Sequence, residues 1–205
     1  MTLKSLFTPA EMADAEFLSR EQAKALADRV LSFAKADETR VTITTGWAGN
    51  TRFAGNEITT SGGTTDTVVT VTSSIGKRRA STSTNVLEDD SLKRTVELAE
   101  RLARLSPEDP EAMPELGPQT YTPINGYFEK TAELTPEART TATQRVISVA
   151  EAEGKAAGNL FVAGFLQANA RASAVATSKG LFAYHRGTDV DLSVTARTPD
   201  GTGSG

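Results

Sequence analysis

Two short runs decide most of what this chain can fold into. "TDTVVTVT" at 65–72 and "TDVDLSVT" at 188–195 align without gaps at an offset of 123, with four of the eight positions identical. In the second run and the two residues after it, Val190, Leu192, Val194 and Ala196 alternate with Asp191, Ser193, Thr195 and Arg197. A period of two is that of a strand, and apolar residues on one side only predict one buried and one wet face. Such strands belong to antiparallel sheets covered on one side by helices. Upstream, Ile58 falls opposite Leu181 at the same offset, so the two runs make an internal duplication a candidate.

The helices that could cover such a sheet carry their own signals. Ser19 and Gln22 have capping-box spacing ahead of an apolar stripe of Ala23, Leu26, Ala27, Val30, Leu31 and Ala34, which predicts a helix over 19–36. A second helix is expected from Asp89 or Asp90 to about Leu105, on Leu92, Val96, Ala99 and Ala103. Glu88, Asp89 and Asp90 suit its cap and dipole better than they suit a site. A third opens with Thr135 as cap and Pro136 in the first helical position, continuing on Ala138, Ala142, Val146 and Val149 to Gly154.

Between these lie strand and turn signals. Val41, Ile43 and Thr45 alternate with polar residues, "TTSGGTTD" reads as a glycine turn between strands, and "SSIGKRRAST" reads as a hairpin with Gly76 at its tip. From Leu160 the chain reads as a meander over 160–167, 170–177, 181–186 and 189–197, with "SKG" and "RGT" marking the last two turns. The stretch "SPEDPEAMPELGPQTYTP" holds five of the eight prolines. Proline donates no hydrogen bond and disfavours helix before it, so an extended connector is expected there. The expected fold is α/β of the α+β type, with helices packed on antiparallel, twisted sheets. Along the chain it divides into 1–105, a connector at 106–134, and 135–205. After the turn "TPDG" at 198–201 only four residues remain. The expectation is that the partner strand lies in a C-terminal half outside these residues, leaving 189–197 as an unpaired edge.

The search for chemistry returns mostly exclusions. A formal charge of −4 gives no electrostatic reason to expect nucleic acid, and Lys77, Arg78 and Arg79 form a basic run without interleaved aromatics. Without cysteine there is no disulfide, thiolate ligand or thiol nucleophile, which suits a reducing cytoplasm. The N-terminus lacks a signal-peptide pattern, and no stretch approaches the roughly 18 consecutive apolar residues of a membrane span. His185 is the only histidine, so neither HExxH nor a two-histidine metal site can form. No GxSxG surrounds any serine, and "SGGT" at 61–64 lacks the helix and lysine of a phosphate cradle. Asp189 and Asp191 share a strand face, but their neighbours make it a solvated one. What remains is a set of contact candidates for substrate or partner: Trp47 among glycines after a strand, and Arg52 and Asn56 on one face of the next strand, opposite Phe53. An exposed sheet edge with Arg52 facing it could hold an extended peptide by strand addition.

Several stretches in order resemble one family. "RFAGNEI", a strand, "GKRRASTSTN" and "DDSLKRTVELAERLA" resemble the N-terminal region of the TldD/PmbA proteins. "SPEDPEAMPELGPQTY" is similar to a connector in one branch of that family, and "VATSKGLFAYHRGTDVDLSVTART" to its second block. The resemblance runs from about Arg40 onward. It implies the N-terminal half of a longer protein in a zinc metallopeptidase system that acts on peptides, once labelled a modulator of DNA gyrase. It further implies a metal site in the C-terminal half of a TldD-like subunit, and a PmbA-like subunit without that site that pairs with it. No catalytic or metal-binding residue transfers to a position here. The chain alone is expected to serve as scaffold and substrate enclosure, or as a non-catalytic PmbA-like subunit, with a TldD- or PmbA-like partner in a homo- or heterodimer, in the cytoplasm.

Overall fold

The computed structural model describes residues 17–155 and 158–205, so the N-terminal stretch read for a signal sequence lies outside the described residues. Its elements are α1 (Arg20–Ser32), β1 (Glu38–Ala54), β2 (Glu57–Ile75), β3 (Arg78–Thr84), α2 (Asp89–Leu105), the short α3 (Glu129–Ala132), α4 (Pro136–Gly154), β4 (Phe161–Thr177) and β5 (Phe182–Arg197). The strands form one antiparallel sheet in the order β3-β2-β1-β4-β5, an α+β arrangement.

Local chemistry set the helix starts where the sequence placed them. The Ser19 hydroxyl accepts from the Gln22 amide while the Gln22 side chain accepts from the Ser19 amide, a closed capping box. Thr135 caps α4 by accepting from the Ala138 amide, with Pro136 following. Asp89 and Asp90 open α2, where Asp89 also pairs with Arg29 at 3.2 Å.

The glycine signals divide differently. "SIGKR" is a tight hairpin, with Ile75 opposite Arg78 and Gly76 at φ +56. "SGGT", however, is no turn: β2 runs straight through it for 19 residues. The turn between β1 and β2 is Gly55-Asn56 instead, both at positive φ, as a two-residue hairpin loop requires. "RGT" is not a turn either, because Gly187 forms a parallel bridge with Gly126 and the Thr188 amide donates to the Gly126 carbonyl within one continuous strand. The predicted four-strand meander is therefore two long strands joined by the turn at "SKG".

The duplication extends beyond the aligned runs. Adding 123 to the bounds of β1 returns the bounds of β4. The same shift carries α1 onto the second part of α4, and β2 onto β5 within two residues at the first end and one at the other. In the sheet β1 and β4 are neighbours, flanked by β2 and β5 respectively, so the order is symmetric apart from the additional β3.

The chain forms two compact units, and β1, β2, β4 and β5 each contribute to both. The predicted segments 1–105, 106–134 and 135–205 describe order along the chain, whereas the units interleave. The first unit comprises residues up to 46, 65–125 and 171–186. Its core joins Leu26 and Val30 of α1, Val41 and Ile43 of β1, Val69 and Val71 of β2, Leu92, Val96 and Ala99 of α2, and Ala174 and Ala176 of β4. Removing such side chains from water supplies about 1.5–3 kcal/mol for each large one. The connector is strapped to this unit by side chains that hydrogen-bond its main chain. Arg79 donates to the Met113 carbonyl, Arg78 to that of Ser106, Thr177 to that of Leu116, and the Glu115 amide donates to Glu38. The basic run Lys77–Arg79 thus holds the chain's own connector.

The second unit comprises 47–64, 126–170 and 187–205. Its core is small: Phe53, Ile147 and Val162, with Ile58, Val146, Ala150 and Ala196 partly buried around them. The face of α4 that is buried carries Arg139, Thr143 and Ile147, one position on from the predicted stripe, and Val149 is exposed. The expected buried face of the last strand is a further correction, since Val190, Leu192 and Val194 are 49%, 48% and 40% exposed. Among the described residues no element of this unit buries them.

Candidate functional site

The second unit holds one charged side chain in an unusual position. Arg139 stands one turn into α4, is only 3% exposed, and makes no ion pair among the described residues. A cation near a helix N-terminus opposes the dipole. Burial pushes its guanidinium below the ordinary arginine range, and Glu137 partly offsets this. Its Nη1 donates to the Leu134 carbonyl at 2.8 Å and its Nη2 to the Gly62 carbonyl at 3.4 Å, while its Nε has no partner. The guanidinium lies 5.9 Å from the centre of the Trp47 ring, within reach of a cation–π interaction.

Two glycines meet the guanidinium, and one of them makes room for it. A Cβ on Gly49 would stand 2.5 Å from Cζ of Arg139, so only glycine leaves the guanidinium its place. Gly62 supplies a carbonyl to Arg139, and a Cβ on it would meet nothing within 4 Å. Next to them is an open cavity of about 370 Å³ lined by Ala48, Gly49, Asn50, Gly62, Gly63, Thr64 and Gln167. Its walls are main chain, two amides and a hydroxyl. Such a surface can exchange hydrogen bonds with a neutral polar chain, and contains neither a nucleophile–base pair nor a general acid.

The sequence candidates fall around this cavity unevenly. Trp47 does not line it, and its ring instead faces the Arg139 guanidinium. It does not follow a strand, because β1 continues through it. Arg52 is exposed on β1, but β1 is a central strand, so neither Arg52 nor Trp47 stands at a sheet edge. The edges are β3 and β5. Asn56 lies in the β1–β2 turn rather than on a strand. Its Nδ2 donates to the Leu160 carbonyl and its Oδ1 accepts from the Val162 amide, pinning the start of β4. Arg139 is absent from the sequence reading, and Gly62 and Gly63 enter it only as a turn, whereas β2 runs through them. An arginine in phase with Thr143 and Ile147 was the available signal, and the apolar count of α4 hid it.

Among the described residues no three His, Cys, Asp or Glu side chains come together to hold an ion. Asp189, read from the sequence as part of a solvated face, accepts from the Asn169 amide at 2.7 Å. The residues therefore do not fit a zinc ion. A second cavity of about 240 Å³ in the first unit, lined by Asp37, Glu38 and Lys77–Arg79 among others, is bordered by the strapped connector. No helix among the described residues is long and apolar enough to cross a membrane.

The family model for PmbA/TldA metallopeptidase domain 1 matches residues 41–103. No curated protein matches the chain by sequence. Among solved structures, TldE from Thermococcus kodakarensis superposes with a TM-score of 0.73 at 18% identity, covering 86% of this chain and 40% of that one. A candidate modulator of DNA gyrase from Thermotoga maritima gives 0.71 at 13% identity, covering 89% and 41%. Another, from Bacteroides thetaiotaomicron, gives 0.65 at 16% identity, covering 85% and 40%. At these identities the structures establish a common fold. The chain spans about 40% of the length of the solved structures it matches.

Proposed function

Since this chain carries the first domain of the TldD/PmbA family over residues 41–103 and shares the fold of TldE across most of its length, we propose that it is the peptide-enclosing scaffold of a TldD/PmbA-type metallopeptidase system. On this reading the chain binds and orients peptide, works in the cytoplasm beside a TldD- or PmbA-like partner subunit, and performs no bond cleavage itself. The zinc of the system is, on this reading, held by residues outside these 205, in a C-terminal half or in the TldD-like partner.

The observation that carries the reading is the glycine-floored cavity beside Arg139. An extended peptide presents amides and carbonyls that Asn50, Gln167 and the strand main chain can match, and the missing side chains at Gly49, Gly62 and Gly63 let a backbone approach closely. Fluorescence polarisation of labelled unstructured peptides, measured with the wild type and with Gly62→Leu, tests it. The leucine would enter open space and fill the cavity. Binding that weakens at least about tenfold is the expected result, and equal binding by both proteins would overturn the reading.

A second reading is a non-catalytic PmbA-like subunit. It predicts that a metal-bearing TldD-type subunit degrades peptides faster when this chain is added. The reading fails if the rate is unchanged.

A further inference from the structure

A chain of three side chains on β4 and β5 ends at the wall of the cavity in the second unit. Gln167 and Asn169 stand two apart on β4 and so share a face, and Asp189 lies on the neighbouring strand β5. Asn169 Nδ2 donates to Asp189 Oδ2 at 2.7 Å, and Gln167 Nε2 donates to Asn169 Oδ1 at 3.3 Å. All three residues belong to the second unit, and Asn169 in the middle is only 9% exposed. Gln167, at the far end, lines the cavity.

The direction of this chain is fixed at its Asp189 end. An ionised carboxylate can only accept, so Asn169 presents its NH2 group to Asp189 and keeps its oxygen for Gln167. Gln167 must then turn its own NH2 group toward Asn169. Turning Asn169 over would set its oxygen against the carboxylate, and turning Gln167 over would set oxygen against oxygen. An unconstrained glutamine can offer either end of its amide to a ligand, whereas this one is held with its carbonyl oxygen as the unengaged end. Gln167 Oε1 has no hydrogen-bond partner among the described residues. The other polar side chains of the wall, Asn50 and Thr64, make no hydrogen bond among the described residues and are free to rotate between donating and accepting. Gln167 is therefore the wall side chain with a set polarity.

We propose that Gln167 Oε1 accepts a main-chain N–H of the bound peptide, and that Asp189, acting through Asn169, is the positioning residue that sets Gln167 as an acceptor. This rests on the reading of the cavity as a peptide site and adds the class of peptide it takes. The segment must carry an unsubstituted amide where it meets Gln167, so proline or an N-alkylated residue is rejected there. A site built to pair with a donor discriminates strongly against a ligand that lacks it, because the acceptor is left unpaired.

The probe is a labelled unstructured peptide together with its set of single N-methyl variants, one for each amide, titrated by fluorescence polarisation. With the wild type, N-methylation at one position is expected to weaken binding at least about tenfold. That ratio should fall below about threefold with Gln167→Met, which removes the acceptor, and with Asp189→Asn, which frees both amides to turn over. A merely structural role for Asp189 would weaken all the peptides alike and leave the ratio intact, and a ratio taken within one protein is insensitive to the fraction folded. Equal tolerance of every N-methyl variant by the wild type, or a ratio that survives either substitution, would overturn the proposal. The peptide-site reading would stand in that event if Gly62→Leu still weakened binding, whereas binding indifferent to Gly62→Leu would remove both.

Discussion

The two units are built from corresponding elements 123 positions apart, and they spend their side chains differently. Among the described residues the first unit's core cluster holds fifteen buried residues and the second's holds three. Where the α1 stripe buries Ala23, Leu26, Ala27 and Val30, the buried face of α4 carries Arg139 and Thr143 beside Ile147. One unit is organised around apolar burial. The other places a guanidinium, an indole and three glycines where a core would be, and keeps a cavity open beside them. A repeated fold can thus place most of its apolar core in one copy.

The largest expected effect that could break this comparison is in the first core. Leu92→Ala should cost about 2–5 kcal/mol, because the site is fully buried and its neighbours cannot all collapse into the space. Val162→Ala in the second unit should cost less, since fewer buried residues surround it. Equal denaturation midpoints for the two variants would count against the asymmetry.

Next comes Arg139. Replacing it with methionine removes donors from the Leu134 and Gly62 carbonyls and the cation from the Trp47 face, an expected loss of about 1–3 kcal/mol with a shift in Trp47 emission. Because Trp47 is the only tryptophan, its emission reports on this corner alone. Gly49→Ala should move the emission the same way by displacing the guanidinium. An unmoved spectrum in both would remove Arg139 from the site.

The smallest effect concerns the strap. The Glu115 amide, and then Lys179, hold the Glu38 carboxyl below its ordinary value of 4.5. A depressed folded value means the contribution is complete above the unfolded value and is lost as pH falls through the folded one. Acidification below about pH 4.5 should therefore lower the melting temperature of the wild type more than that of Glu38→Gln. Parallel curves would show that the strap carries no such linkage.

What the sequence disclosed and what it hid follow from the range of the interactions. The starts of α1, α2 and α4 rest on contacts a few residues apart, as in the Ser19–Gln22 box, and were legible. The β2–β3 hairpin was legible for the same reason. Glycine was ambiguous because it serves two purposes. Gly76 is there for its positive φ, but Gly62 serves a neighbour 77 residues away by accepting from Arg139. The alternation in β5 was read correctly as a strand and wrongly as a buried face. Alternation records that a face is apolar, and what covers it depends on elements elsewhere. Of the contact candidates, Trp47 lies at the corner the structure assembles, while the Asn56 amide is engaged in holding β4. Arg139 could not be found by looking for conventional chemistry.

The most direct test of the asymmetry compares one position in both repeats. Val69→Ala and Leu192→Ala occupy corresponding places on β2 and β5, and urea denaturation of each measures what its burial contributes. The duplication with unequal cover predicts a loss of about 2 kcal/mol for Val69→Ala and a change within about 0.5 kcal/mol for Leu192→Ala. Equal losses at the two positions would contradict it.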